Sequence, residues 1–135
     1  MIARDNYLDL LKSFKDKQLI KVVTGIRRCG KSTLYEIFRD CLKSSGISDE
    51  QIITINLEAP DFAEIRNYSE LYSYVNERLI PDKMNYVFLD EVQKVKDFQE
   101  ACDGLYIKKN VDLYITGSNA NILSGELATL LSGRY

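Results

Sequence analysis

Residues 25–32 read GIRRCGKS, directly after the β-branched run Ile20–Thr24 and directly before a helical stripe of Leu34, Ile37, Phe38, Cys41 and Leu42. The octet matches G-x-x-x-x-G-K-[ST], a loop that wraps a polyphosphate with its own backbone N–H groups. Gly25 and Gly30 tolerate the close approach and unusual backbone angles that such wrapping needs. The helix that follows aims its free N–H groups and the positive end of its dipole at the same anion. Lys31 brings a mobile positive charge to the β- and γ-phosphates. Ser32 offers a hydroxyl to Mg²⁺, and Thr33 a hydrogen bond to the α-phosphate. Average residue usage makes a chance match in this chain a roughly 0.5% event, so the motif outweighs an ordinary Gly-bounded turn. Arg27 and Arg28 either add positive field over the phosphates or are solvated. Cys29 is read as a small filler within the loop, with a thiol activated by the helix N-terminus and Lys31 as the sharper alternative.

Outward from this loop the hydrophobic period switches repeatedly between helix and strand. Upstream, Tyr7, Leu10, Leu11 and Phe14 predict an amphipathic helix over 5–15 with Asp5 as N-cap. Downstream, the second helix ends at Ser44-Ser45-Gly46, and QIITIN (51–56) is a strand. Residues 58–67 read as a loop. Leu71, Tyr74, Val75 and Leu79 predict a helix capped by Ser69 and stopped at Pro81. NYVFL (85–89) is a buried strand. Phe98, Ala101, Cys102 and Leu105 predict another helix, with Asp97 and Glu100 at capping-box spacing. VDLYIT (111–116) is a strand, and Leu123, Leu127, Leu130 and Leu131 predict a last helix. Strands alternating with helices imply a three-layer α/β/α fold around a mostly parallel sheet.

Composition narrows the chemistry. The chain has 135 residues, one domain's length, and 18 basic against 20 acidic side chains. A net charge of −2 is no footprint for nucleic acid. There is no histidine, which removes Ser-His-Asp and Cys-His nucleophiles and most metalloenzyme ligand sets. Three cysteines without a C-x-x-C pair fit a reducing, cytoplasmic setting. The longest apolar run is Tyr86–Leu89, too short to span a membrane.

Two further stretches carry candidate chemistry. YVFLDE (86–91) runs four apolar residues into two carboxylates. Burying those charges inside a strand would cost too much, so they belong at its carboxyl end, facing a crevice. There Asp90 is placed to hold Mg²⁺, and Glu91 to orient and deprotonate an attacking water. The strand at 111–116 ends in Gly117-Ser118-Asn119. Ser118, or else Asn119, could reach the water or the γ-phosphate; a turn or helix cap is the other reading, and both can hold at once. Arg134 is either a surface arginine or a finger inserted into a neighbouring copy's site.

These features resemble the AAA+ superfamily of P-loop ATPases, and within it a prokaryotic branch with a GxRRxGKS/T loop, an hhhhDEvQ strand and an itGSn strand end. They stand here as GIRRCGKST, YVFLDEVQ and YITGSNA, and the tail LSGELATLLSGRY is similar too. The resemblance covers nearly the whole chain. It implies ATP as the nucleotide, Mg²⁺ as the metal and hydrolysis as the reaction. It gives Lys31 and Ser32 the Walker A roles, Asp90 and Glu91 the Walker B roles, Ser118 or Asn119 the sensor role, and Arg134 the role of the family's arginine. It implies a flanking helix at 1–17 and an ATPase core at 18–135, with a fifth strand, a helical lid and an effector domain expected beyond Tyr135. The strand Ile20–Thr24 would then be an open sheet edge. A nucleotide-gated switch without turnover is the rival function. A small-molecule phosphotransferase is disfavoured by the adjacent carboxylates.

Overall fold

The structure, a computed structural model, describes residues 9, 12, 13, 15, 16, 19–24, 28–117 and 128–130. Among the described residues five strands form one sheet: β1 (Ile20–Thr24), β2 (Ile52–Asn56), β3 (Asn85–Asp90), β4 (Val111–Gly117) and β5 (Ala128–Leu130). Their order is β2-β3-β4-β1-β5, and every pairing is parallel. Among the described residues three helices link successive strands: α1 (Arg28–Ser44), α2 (Tyr68–Arg78) and α3 (Phe98–Tyr106). The expected α/β fold is therefore the observed one.

Parallel sheets need cover on both faces, and the alternation of side chains along each strand shows how it is supplied. Val22, Ile55, Val87, Leu89, Leu113 and Ile115 face α2 and α3, where Leu71, Val75, Ala101, Cys102 and Leu105 meet them. Tyr86, Phe88, Tyr114 and Val23 face the other way, onto Leu34, Tyr35, Phe38 and Leu42 of α1. β3 and β4 are buried along their whole length. The aromatic rings are packed in register: Phe88 and Tyr114 stack at 4.8 Å, and Tyr35 meets both edge-on. Such pairs add about 0.5–1.5 kcal/mol beyond their buried area. On the opposite face Gly104 admits Tyr72, since a Cβ there would lie 3.0 Å from the ring.

The helix ends follow local chemistry. Past Ser44 of α1, Gly46 takes φ 105°, a conformation that suits glycine. Its N–H donates to the Lys43 carbonyl and that of Ile47 to the Leu42 carbonyl, each at 3.1 Å, which satisfies two orphan acceptors. At α2 the cap is Asn67 rather than Ser69: its side chain accepts from the Glu70 amide at 3.0 Å, while Glu70 accepts from the Arg66 amide at 2.9 Å. At α3 Asp97 makes no side-chain cap; it sits in the left-handed region, and its carbonyl, not its carboxylate, accepts from Glu100 N.

Two expectations need correction. The fifth strand is not missing: Ala128–Leu130 pairs with β1, with Thr129 opposite Lys21. Nor is this stretch helical. β1 would otherwise leave a row of backbone groups unpaired on one side, and satisfying them outweighs the leucine period of a short segment. β1 is thus interior to the sheet. Of the N-terminal helix, residues 9, 12 and 13 are helical, and the remainder of 5–15, apart from Lys15, lies outside the described residues.

Inside the α1 face lies a buried charge pair that the run IKVVT does not advertise. Lys21, fully buried, bonds Asp112, which also accepts from Tyr114 Oη and from the Asp16 amide, both at 2.8 Å. Asp16 in turn accepts from Tyr86 Oη at 2.7 Å. Burial pushes the Asp112 carboxyl above its ordinary range despite Lys21, and drives the Tyr114 phenol up as well. A buried pair of this kind contributes little net stability while intact, but leaves an uncompensated charge when halved. Lys21→Met should therefore destabilise the fold by about 3–5 kcal/mol in urea titration, and Lys21→Met with Asp112→Leu should recover part of the loss, since Tyr114 Oη and the Asp16 amide then lose their acceptor.

Candidate functional site

The carboxyl ends of β1, β4 and β3 lie side by side. Thr24 pairs with Gly117, and Ile115 with Leu89, so Asp90 falls next to Thr116. β4 stands between the other two, which puts their ends about 10 Å apart, two strand spacings. α1 starts at Arg28, four residues past the end of β1, so its N-terminus belongs to this same edge. The helix includes Arg28, Cys29 and Gly30, earlier than a loop reaching to Ser32 would allow. Their amides, in its first turn, have no carbonyl four residues back within the helix. No acidic residue occupies that turn. Its field therefore favours an anion.

Asp90 and Glu91 are held by one hydroxyl. Thr116 Oγ1 accepts from the Glu91 amide at 3.0 Å and donates to Asp90 Oδ1 at 3.2 Å. Glu91 leaves the strand at φ 58°, ψ 52°. A non-glycine residue there costs about 1–3 kcal/mol. The bend sends the chain into the turn Val92–Lys94 and drops Val92 and Val95 into the core. Gln93 Nε2 then donates back to Glu91 Oε1 at 2.7 Å. Across the α1 face, Tyr35 Oη donates to the Ile115 carbonyl at 2.9 Å, tying the helix to β4 just short of Thr116. Burial, with the charges of Asp90 and Asp112, pushes that phenol well above its ordinary value.

The structure thus brings Asp90 and Glu91 together at the strand ends, beside the start of α1. Arg28, Cys29, Gly30, Lys31, Ser32 and Thr33 form the opening turns of α1, and their side chains lie outside the description. Gly25, Ser118, Asn119 and Arg134 lie outside the described residues. Thr116 and Gln93 were not singled out from the sequence. Gln93 lies within the quoted YVFLDEVQ. Thr116 shares a face with Tyr114, but nothing in the sequence makes β4 the neighbour of β3. No cluster of three or more His, Cys, Asp or Glu able to hold a metal occurs among the described residues. One buried carboxylate oriented by a hydroxyl suits Mg²⁺, which keeps several waters and takes other oxygens from phosphate.

Parallel strands in this order, with an acidic pair one strand removed from the strand that runs into α1, define a P-loop NTPase core. The family model of the AAA domain matches residues 17–135, and the chain belongs to that family. It is 44% identical, over its whole length, to an uncharacterized protein of Haemophilus influenzae, and covers 34% of that protein. It is 32% identical over 120 residues to an uncharacterized protein of Methanocaldococcus jannaschii, with 85% of this chain and 24% of that one covered. The chain therefore spans about a third and a quarter of these relatives. Among solved structures, Drosophila ORC bound to AT-rich DNA and Cdc6 is similar at TM-score 0.56 and 12% identity, covering 88% of this chain and 49% of the other. Drosophila ORC bound to DNA is similar at TM-score 0.55 and 14% identity, covering 88% and 78%. Both show the fold alone. No helix among the described residues is long and apolar enough to cross a membrane.

Thr116→Val keeps the side-chain shape but strips the hydroxyl from Asp90 and from the Glu91 amide. Each of the two hydrogen bonds lost is worth about 0.5–1.5 kcal/mol, so urea titration should show a loss of about 1–3 kcal/mol, and Thr116→Ser should behave like the parent.

Proposed function

We propose that this chain is the ATP-binding and ATP-hydrolysing core of an Mg²⁺-dependent AAA+ ATPase. The observation that carries the reading is the pairing of Asp90 and Glu91 through Thr116, at the sheet edge where α1 begins. In this reading Gly25, Gly30 and the amides at the start of α1 cradle the triphosphate, with Arg28 and Cys29 contributing backbone. Lys31 neutralises charge on the β- and γ-phosphates, and Thr33 bonds the α-phosphate. Ser32 and Asp90 would hold Mg²⁺, directly or through water, and the ion would supply charge neutralisation on the phosphates. Glu91 orients a water and accepts its proton as the water oxygen attacks the γ-phosphorus. The bond from that phosphorus to the β–γ bridging oxygen breaks, and ADP and phosphate leave.

Ser118 or Asn119 would sense the γ-phosphate from the end of β4. Arg134 would reach a neighbouring copy as a finger, which makes assembly part of the proposal. So is coupling of hydrolysis to a further effector domain. The boundary proposed for the core is residue 18, with 1–17 as its flank. In support of a close attachment, Asp16 bonds both Asp112 and Tyr86 of the sheet.

Two variants test the reading. Glu91→Gln should keep ATP affinity while lowering phosphate release by about 100-fold or more. Lys31→Ala should weaken ATP binding by about tenfold or more, read by calorimetry. Unchanged turnover in the first removes Glu91 from its role; unchanged affinity in the second argues against the whole site. Binding with no phosphate release at any protein concentration selects the nucleotide-gated switch instead.

A further inference from the structure

Glu91 has a flexible side chain, and a carboxylate meant to receive a water's proton must be aimed. An unrestrained glutamate gives up about 1.5–2 kcal/mol of rotamer entropy when it is fixed. Here much of that ordering is done before any ligand arrives. The backbone of Glu91 is set by the left-handed bend and by the bond from its amide to Thr116. The carboxylate is set by Gln93, whose Nε2 donates to Oε1 at 2.7 Å. That is the short end of the range for a hydrogen bond to an ionised acceptor. Glu91 is only 3% exposed, so the contact is sheltered from competing water. Gln93 is itself carried by a turn whose flanks, Val92 and Val95, are anchored in the core at 0% and 2% exposure.

We propose that Gln93 is the positioning residue of the Glu91 carboxylate, holding it in the orientation in which it works on the attacking water. The inference rests on Glu91 as the water-activating residue and adds what aims it. The chemistry of the side chain suits the task. A neutral amide donates one N–H and fixes the oxygen without cancelling its charge. A lysine or arginine would form an ion pair and make the carboxylate a weaker base, while a hydroxyl two residues on would be too short to reach back. Gln93 touches neither nucleotide nor water in this role; it acts through Glu91.

The test uses the full chain. Gln93→Ala should lower kcat for phosphate release by about tenfold or more, with KM and ATP affinity held within about twofold. Gln93→Glu, which sets a like charge against Glu91, should lose at least as much, and Gln93→Lys, which restores a donor but weakens the base, should stay well below the parent rate. A readout free of turnover is the side-chain amide resonance of Gln93 in ¹⁵N spectra of the nucleotide-free protein, which should move in Glu91→Gln. Four results overturn the proposal: kcat unchanged in Gln93→Ala; kcat raised, which would make the bond a restraint; KM and affinity shifting along with kcat; or an amide resonance indifferent to Glu91. If Glu91→Gln itself keeps full turnover, the reading of Glu91 falls. If Glu91→Gln is inactive while Gln93→Ala is normal, only the role of Gln93 falls.

Discussion

The site depends on β4 lying between β1 and β3. Ladder hydrogen bonds run from β4 to both neighbours, Thr24 opposite Gly117 on one side and Leu89 opposite Ile115 on the other. These bonds hold the strand that leads into α1 and the strand that ends in two carboxylates at a constant separation. Neither neighbour could move relative to the other without breaking ladder bonds that are buried on both faces. The gap is set by backbone geometry, at about two strand spacings. It is also the reason a side chain of β4, Thr116, can bond both halves of the acidic pair.

The two faces of the sheet are built differently. The face under α2 and α3 is aliphatic, closed by Leu, Ile and Val packing. The face under α1 combines aromatic rings with a chain of polar groups: Lys21, Asp112, Tyr114, Asp16 and Tyr86. A buried network of this kind is tolerable only because its members are matched donor to acceptor. It also binds four separated pieces of the chain, the segment at Asp16 with β1, β3 and β4. Farther along that face, Tyr35 ties α1 to the Ile115 carbonyl. The helix whose first turn faces the strand ends is thus fastened near the acidic pair.

At the strand ends strain and satisfaction are coupled. Glu91 occupies a costly backbone conformation. The cost is offset by the apolar burial of Val92 and Val95 just beyond the bend, by the bond from its amide to Thr116, and by Gln93 on its carboxylate. Each of these is short-range, so the acidic pair is organised by its own surroundings before any ligand binds.

Much of this was legible in the chain itself. The β1, β2, β3 and β4 segments, the run of α1 to its glycine stop, and Asp90 and Glu91 as a strand-end pair follow from periodicity and from the cost of burying charge. These are local effects, and the sequence carries local effects directly. What it did not contain was neighbourhood. Lys21 reads as one polar residue in an apolar run until the sheet order sets it beside Asp112, ninety-one positions away. Thr116 reads as a strand residue until β4 is inserted next to β3. The leucines near 128–130 keep a helical spacing until the unpaired edge of β1 recruits that segment as a strand. Periodicity and charge cost are properties of a segment and its solvent, so the sequence determined β1 to β4, the three helices between them and the acidic pair. Sheet order and the pairing of buried polar groups arise only when distant segments compete for the same partners, so the tertiary structure decided those.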